Sequence, residues 1–379
     1  MTGVAARYPV PVTTASVLAP AREPDPRLDA IVRLAGFEAI ARERMAPAAF
    51  DYVAGGAGDE ESLADNEAAW RRRRIRPRVL IDVSRVETGT TMLETPVAMP
   101  LAVAPMASHG LAHPDAEAAT ARAASLAGVP FTLSTMSSRS IEEVAAAAPD
   151  GIRWFQLYIQ SDRGFARSLV ERAEMSGYRA IVLTVDLPVL GIRERDRRHG
   201  FVLDVPLGNF EGRPDQAAIA EPSRDAPAGV THASLTWDDI EIVRSWTRLP
   251  IVLKGILTAE DARLAAAIGV AAVVVSNHGA RQLDRTISAV DALEEIVEAV
   301  AGRSEVWIDG GVRRGIDIVI ARALGAQGVL IGRPILWALA AGGDAGVTRA
   351  LAILREELEV AMALTGTPTI AQIGRAHVR

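Results

Sequence analysis

The sequence predicts an α/β protein, a (β/α)8 TIM barrel with an N-terminal helical extension and a long loop after the fourth strand. Three observations carry that reading. From residue 100 onward, eight short apolar runs each end in polar residues or glycine. Amphipathic, alanine-rich segments lie between most of them. The chain has 379 residues, 49% of them hydrophobic, enough for one large α/β domain. Apolar runs alternating with helices imply parallel strands joined by crossover helices. Eight such units close a barrel of roughly 250 residues. A doubly wound open sheet is the alternative that the same alternation permits.

Taken in order, residues 1–27 carry Pro9, Pro11, Pro20, Pro24 and Pro26 with no apolar period, and read as a flexible leader. Residues 28–379 form the folded domain, with the barrel at about 100–364. From Arg27 to Met45 the apolar spacing is helical. The runs are PLAVAP (100–105), FTLST (131–135), WFQLYI (154–159), AIVLTVD (180–186), PIVLKG (250–255), AAVVVSN (271–277), EVWIDGG (305–311) and GVLIGRP (328–334). Helices are expected at 115–126, 141–147, 163–175, 258–267, 289–300 and 315–324. Residues 201–235 are polar and rich in Pro and Gly, and read either as an active-site lid or as a passive insertion.

Composition excludes several chemistries. There is no cysteine, so disulfides, thiol nucleophiles, iron–sulfur clusters and Cys-based zinc sites are ruled out. The net charge of −6 disfavours nucleic acid, and the basic run Arg71–Arg74 reads as a solvated segment. No apolar run approaches the ~20 residues of a membrane helix, and no secretory signal is visible, so the expected location is cytoplasmic. Lys254 is the only lysine among the 41 basic residues. Its survival amid arginines points to a site that needs a compact ammonium.

Active sites of barrels lie at the C-terminal strand ends. Here those ends bring Pro105, Met106 and Ala107; Ser134; Gln156 and Tyr158; Thr184 and Asp186; Lys254; Ser276 and His278; Asp309 and Gly311; Gly332 and Arg333. The segment IDGGVRRG, with Arg313, and the IGRP after the eighth run suggest a phosphate site of glycine amides, a helix N-terminus and arginine. Neither a dinucleotide-binding GxGxxG after a strand nor a P-loop is present. His278 can take a proton near neutral pH, with Asp186 as its orienting partner. Arg281 and Arg193 can clamp a small carboxylate. The spacing of His109 and His113 allows a metal pair, but Gly110 and Pro114 make them loop histidines. Together these residues suggest redox or proton chemistry on a small organic acid.

The motifs FDYVAGGAGDE (50–60), APMASHGLAHPDAE (104–117), WFQLYIQSDR (154–163), LTVDLPVLGIRERD (183–196), LPIVLKGILTAEDAR (249–263), SNHGARQLD (276–284), DGGVRRG (309–315) and IGRP (331–334) resemble the FMN-dependent L-2-hydroxy acid oxidase and dehydrogenase family. The resemblance runs from about residue 28 to 379. It implies FMN as cofactor and a 2-hydroxy acid as substrate. His278 becomes the base with Asp186 as its partner, and Arg281, Arg193, Tyr52 and Tyr158 bind substrate. Lys254 would sit by the flavin ring. Pro105–Ala107, Ser134, Gln156, Thr184 and Ser276 would hold the isoalloxazine and ribityl chain. Asp309, Gly311, Arg313, Gly332 and Arg333 would surround the phosphate end.

Met136 stands where many members place Trp or Tyr, which favours lactate or a bulkier acid over glycolate. Ala107 stands where the lactate monooxygenase branch is expected to have glycine. The resemblance therefore implies an oxidase that makes hydrogen peroxide from oxygen. A soluble quinone- or dye-coupled dehydrogenase and a non-catalytic barrel are the alternatives. Members commonly form homo-tetramers or octamers.

Overall fold

The computed structural model describes residues 23–203, 205–213 and 233–379. Most of the leader and of the 201–235 loop lie outside these residues. A two-stranded antiparallel hairpin, β1 (Thr90–Met92) and β2 (Thr95–Val97), precedes the barrel. Eight parallel strands then close a ring: β3 (Leu101–Val103), β4 (Phe131–Ser134), β5 (Arg153–Leu157), β6 (Ile181–Thr184), β7 (Ile251–Ile256), β8 (Ala272–Val275), β9 (Glu305–Ile308) and β10 (Gly328–Ile331). β10 pairs back onto β3, so no edge remains in this sheet.

The eight strands coincide with the eight predicted runs. β4, β6, β8 and β10 are buried at every position. This explains why they read as continuous apolar runs rather than as alternation. Alternate residues face inward and form one cluster that includes Ala102, Val182, Val252, Val274, Trp307 and Leu330. The others pack against the surrounding helices in a second, larger cluster.

The six expected helices fall within a residue of their places, and a further helix, Asp238–Arg244, leads into β7 where none was expected. Their starts are chemically marked. Ser140 and Glu143 form a capping box, and Asp162, Thr258 and Ser288 each accept a backbone N–H in the first turn.

Three further features depart from the sequence reading. The helix expected over 27–45 is a 3-10 turn, Leu28–Ala30, followed by a helix at Ala35–Arg44. Ile31 between them is extended, and a Cβ on Gly36 would lie 3.0 Å from its side chain. The chain thus breaks to bury Ile31. The final helix, Arg333–Thr365, is kinked at Gly342–Gly343. The hairpin was not anticipated. It seals the N-terminal end of the barrel, where Met92 lies under Gly328 and Glu305 accepts from the Leu93 amide. Above it Trp154 and Trp307 stack with centroids 4.7 Å apart.

Candidate active site

A cavity of about 610 Å³ opens at the C-terminal end of the barrel. At one end its wall carries Tyr52, Tyr158, Arg193, His278 and Arg281. At the other it carries Asp309, Gly311, Arg313, Gly332 and Arg333. Between them lie Pro105, Met106, Ala107, Ser134, Met136, Thr184 and Lys254. Of the expected site residues, Gln156, Asp186 and Ser276 are not on the wall. Each stands behind a residue that is.

Gln156 Oε1 accepts from the Ser134 hydroxyl at 3.1 Å and from the Thr135 amide at 3.2 Å. Ser276 Oγ accepts from Lys254 Nζ at 2.9 Å and from the His278 amide at 3.1 Å. Asp186 Oδ1 lies 2.8 Å from His278 Nδ1. Burial pushes the Asp186 carboxyl up, but the neighbouring His278 and Lys254 outweigh it and hold it below the usual carboxylate range. With Nδ1 engaged, Nε2 is the imidazole nitrogen available to a bound molecule.

The backbone around His278 is unusual. His278, Gly279 and Ala280 all have positive φ, at 58°, 62° and 62°. Such backbone is strained for residues other than glycine and persists only where the surroundings impose it. Asn277 Oδ1 accepts from the Ala280 amide, and Asn277 exchanges two side-chain hydrogen bonds with Asn66, at 3.0 and 2.8 Å. Arg333 donates to the Gly279 carbonyl at 2.8 Å. A Cβ on Gly279 would stand 2.8 Å from the Arg333 guanidinium. The sequence reading missed Asn66, because nothing near it in the chain marks a contact across 211 residues.

Lys254 is buried and paired with Asp309 at 2.9 Å. Burial alone would lower the pKa of the ammonium, but Asp309 and Asp186 more than offset it and raise it. Arg281 donates to the Tyr52 and Gly55 carbonyls at 2.7 and 3.0 Å, which fixes its guanidinium 4.9 Å above the Tyr52 ring. Arg193 lies 5.5 Å from the same ring and 3.4 Å from Asp196. Two arginines thus flank one tyrosine. Burial and the charge of Arg193 push Arg281 down. Burial pushes the Tyr158 hydroxyl up, so it stays protonated and can donate.

The far end is also cationic. Among the described residues Arg333 donates only to carbonyls, those of Val53, Gly55 and Gly279. Burial and the neighbouring Arg281 and Arg313 lower it to about 9. Gly332 caps the helix that starts at Arg333 beside this end of the cavity. One part of the expectation needs correction. The helix starting at Gly315 does not offer its amides to an anion. Asp317 takes the Arg313 and Arg314 amides at 2.9 Å each, and Glu357 takes the Gly315 amide at 2.8 Å. A Cβ on Gly315 would strike Leu358 at 2.3 Å, so that glycine serves helix packing. The helix start on the cavity wall at this end is the one at Arg333, with Gly332 as its N-cap.

His109 and His113 flank a 3-10 turn, His109–Leu111. His109 is buried, with Nδ1 2.9 Å from the Thr120 hydroxyl, while His113 Nδ1 accepts from the Asp115 amide. No metal-binding cluster occurs among the described residues. Among them no helix is long and apolar enough to cross a membrane.

The residues fit an FMN. The Gln156 Nε2 donor and the Asp309 Oδ1 acceptor are buried without partners among the described residues, as a carbonyl-bearing ring and a hydroxylated chain would require. Arg333, which among the described residues has no hydrogen-bonded carboxylate, suits a phosphate.

Comparison with known proteins agrees. The chain is 49% identical over 355 residues to glycolate oxidase 1 of Oryza sativa subsp. indica, covering 92% of this chain and 95% of that one. It is 48% identical over 352 residues to an L-lactate oxidase of Nostoc sp., covering 90% and 96%. A solved structure of mandelate oxidase matches with a TM-score of 0.85 and 45% identity, over 92% of this chain and 98% of the other. The family model described as FMN-dependent dehydrogenase matches residues 41–379. With the closed barrel and these matches over nine-tenths of the chain, the chain belongs to the FMN-dependent dehydrogenase family.

Proposed function

We propose that this protein oxidises an L-2-hydroxy acid, lactate-like or bulkier, to the 2-oxo acid while oxygen is reduced to hydrogen peroxide. One observation carries the reading. The Asp186-held His278 shares a single wall with Arg193, Arg281, Tyr52 and Tyr158. A base beside two cations and two phenols suits an anion whose neighbouring carbon carries a hydroxyl.

In this reading Arg281 and Arg193 bind the carboxylate and fix the hydroxyl-bearing carbon. Tyr158 and Tyr52 donate hydrogen bonds to the carboxylate or hydroxyl. His278 Nε2 takes the substrate proton, and Asp186 stabilises the imidazolium that forms. Bound FMN supplies the two-electron redox couple between substrate and oxygen. Gln156, Ser134, Thr184, Ser276 and the Pro105–Ala107 backbone would hold its ring, with Lys254 supplying positive charge against it. Asp309, Gly311, Arg313, Gly332 and Arg333 would hold the ribityl and phosphate end. Met136, 7% exposed on the cavity wall, is an unbranched side chain that can yield to a larger substituent.

The test is a visible spectrum of the purified protein. A flavin band that bleaches anaerobically with an L-2-hydroxy acid and returns in air is the expected result. Colourless protein that takes up no FMN would refute the proposal. Recovery with quinone or dye but not with air would assign the dehydrogenase alternative.

We also read the protein as a homo-oligomer. Support comes from the exposed apolar side chains Val79, Leu80, Val360 and Leu364, on two segments that meet where the Arg78 amide donates to the Thr365 carbonyl. Sedimentation at micromolar concentration checks it, and a monomer would refute it.

A further inference from the structure

We propose that Gln282 is a positioning residue that fixes the carboxylate-binding loop against the base. The inference rests on the proposed reaction and assigns a role to a side chain that takes no part in its chemistry.

The segment from Asp186 to Arg193 carries the partner of the base at one end and a clamp arginine at the other. Between them the chain has no regular structure, and Val189 is 59% exposed. At its start the Val185 amide donates to the Lys254 carbonyl at 2.9 Å. At its end the Ile192 carbonyl accepts from the Gly58 amide at 2.9 Å. Among the described residues, the hydrogen bonds that reach the Asp186–Gly191 backbone from elsewhere in the chain come from one side chain. Gln282 Nε2 donates to the Asp186 and Val189 carbonyls at 3.2 and 2.9 Å. Gln282 Oε1 accepts from the Gly191 amide at 3.3 Å. One primary amide thus uses both donors and its acceptor on one loop.

Close packing reinforces the staple. Gly191 lies so near the 281–282 backbone that a Cβ there would stand 2.4 Å from the Arg281 carbonyl and 2.5 Å from that of Gln282. Gln282 follows Arg281 directly and lies four residues beyond His278. The side chain therefore registers the loop leading to Arg193 against the segment that holds the other clamp arginine. Asp186 is also held from its strand, through the neighbouring Val185 bond, so Gln282 acts chiefly on the Arg193 side.

The test compares Gln282→Met, Gly191→Ala and the double variant as flavin-loaded enzymes, with L-lactate and L-mandelate as probes. Met keeps the bulk and removes all three bonds, while Ala pushes the same loop away by contact. Each single variant should keep the flavin spectrum and raise KM by roughly tenfold or more, with a smaller fall in kcat. The double variant should resemble the worse single one, because both break the same staple. If Gln282→Met does not fold, Gly191→Ala carries the KM test alone. Wild-type KM in whichever single variants fold, or KM effects that multiply in the double variant, would overturn the inference. A wild-type protein that neither acid reduces points instead to failure of the proposed reaction.

Discussion

His278 and Asp186 meet at 2.8 Å although their strands, β8 and β6, are not neighbours. β7 runs between them, and the Asp186 side chain crosses it at Gly255. A Cβ on Gly255 would lie 2.5 Å from the Asp186 Cγ, and its φ of 112° disfavours any other residue. The pairing of β7 with β8 shifts register at this point, between Lys254 and Ile256. Such irregularities re-aim side chains next to active sites.

Gly255→Ala should therefore displace Asp186 without touching substrate. We expect kcat to fall by about 10²-fold, since small misplacements near the reacting groups carry effects of that size. The flavin spectrum should persist. Stopped-flow reduction by substrate measures it, and wild-type reduction would show that Asp186 has another path to His278.

Removing the base itself is the sharper case. His278→Ala should retain flavin and lose about 10²–10⁴-fold in the rate of flavin reduction. Asp186→Asn should fall by a similar factor, because an amide can bond Nδ1 but cannot offset the imidazolium charge. Single-turnover kinetics at saturating substrate separates this loss from weaker binding.

Lys254 tests the demand for a compact cation. Lys254→Met would leave the Asp309 carboxylate buried without its 2.9 Å partner. Stability should drop by about 3–5 kcal/mol, the range for breaking a buried ion pair. Lys254→Arg keeps the charge but widens the group in a site where Ser276 is also 2.9 Å away. It should release flavin more readily than wild type. Thermal unfolding and the fraction of flavin passing an ultrafiltration membrane read the two effects.

His109 predicts an acid sensitivity away from the reacting groups. Burial lowers its pKa from the usual 6.5 to about 3. The unfolded chain therefore binds a proton that the folded one refuses between those values. The neutral imidazole's contribution is complete above pH 6.5 and is lost as pH falls towards 3, at roughly 1.4 kcal/mol per pH unit. Glu117, which accepts from the His109 amide, is pushed up by burial and contributes the opposite slope. The difference between wild type and His109→Asn isolates the imidazole. The gain in urea midpoint from pH 5 to pH 7 should be smaller in the variant than in wild type, and an unchanged gain would contradict the assignment.

The barrel was legible because parallel strands buried on both faces leave continuous apolar runs such as AVVV at 272–275. The site was legible where the chemistry is carried by charged or aromatic side chains at the ends of those runs, as with His278, Lys254 and Arg281. It was opaque where the contribution is made by absence or by reach. Gly255 matters for the atom it lacks, and no local pattern separates it from a turn glycine. Gln282 and Asn66 act through amides whose partners lie 96 or 211 residues away. In the glycine-rich IDGGVRRG only the helix start was misread, for the same reason. Its helix start is already occupied by Asp317 and by Glu357, 42 residues on from Gly315.

The hairpin under the barrel has a consequence for traffic. Met92 packs against Gly328 and two buried tryptophans stack above it, so the barrel floor among the described residues is filled by side chains. On the proposed reaction, acid, keto product and oxidant would then share the cavity at the C-terminal rim. The keto acid blocks the next hydroxy acid until it departs, so product inhibition should be competitive against substrate.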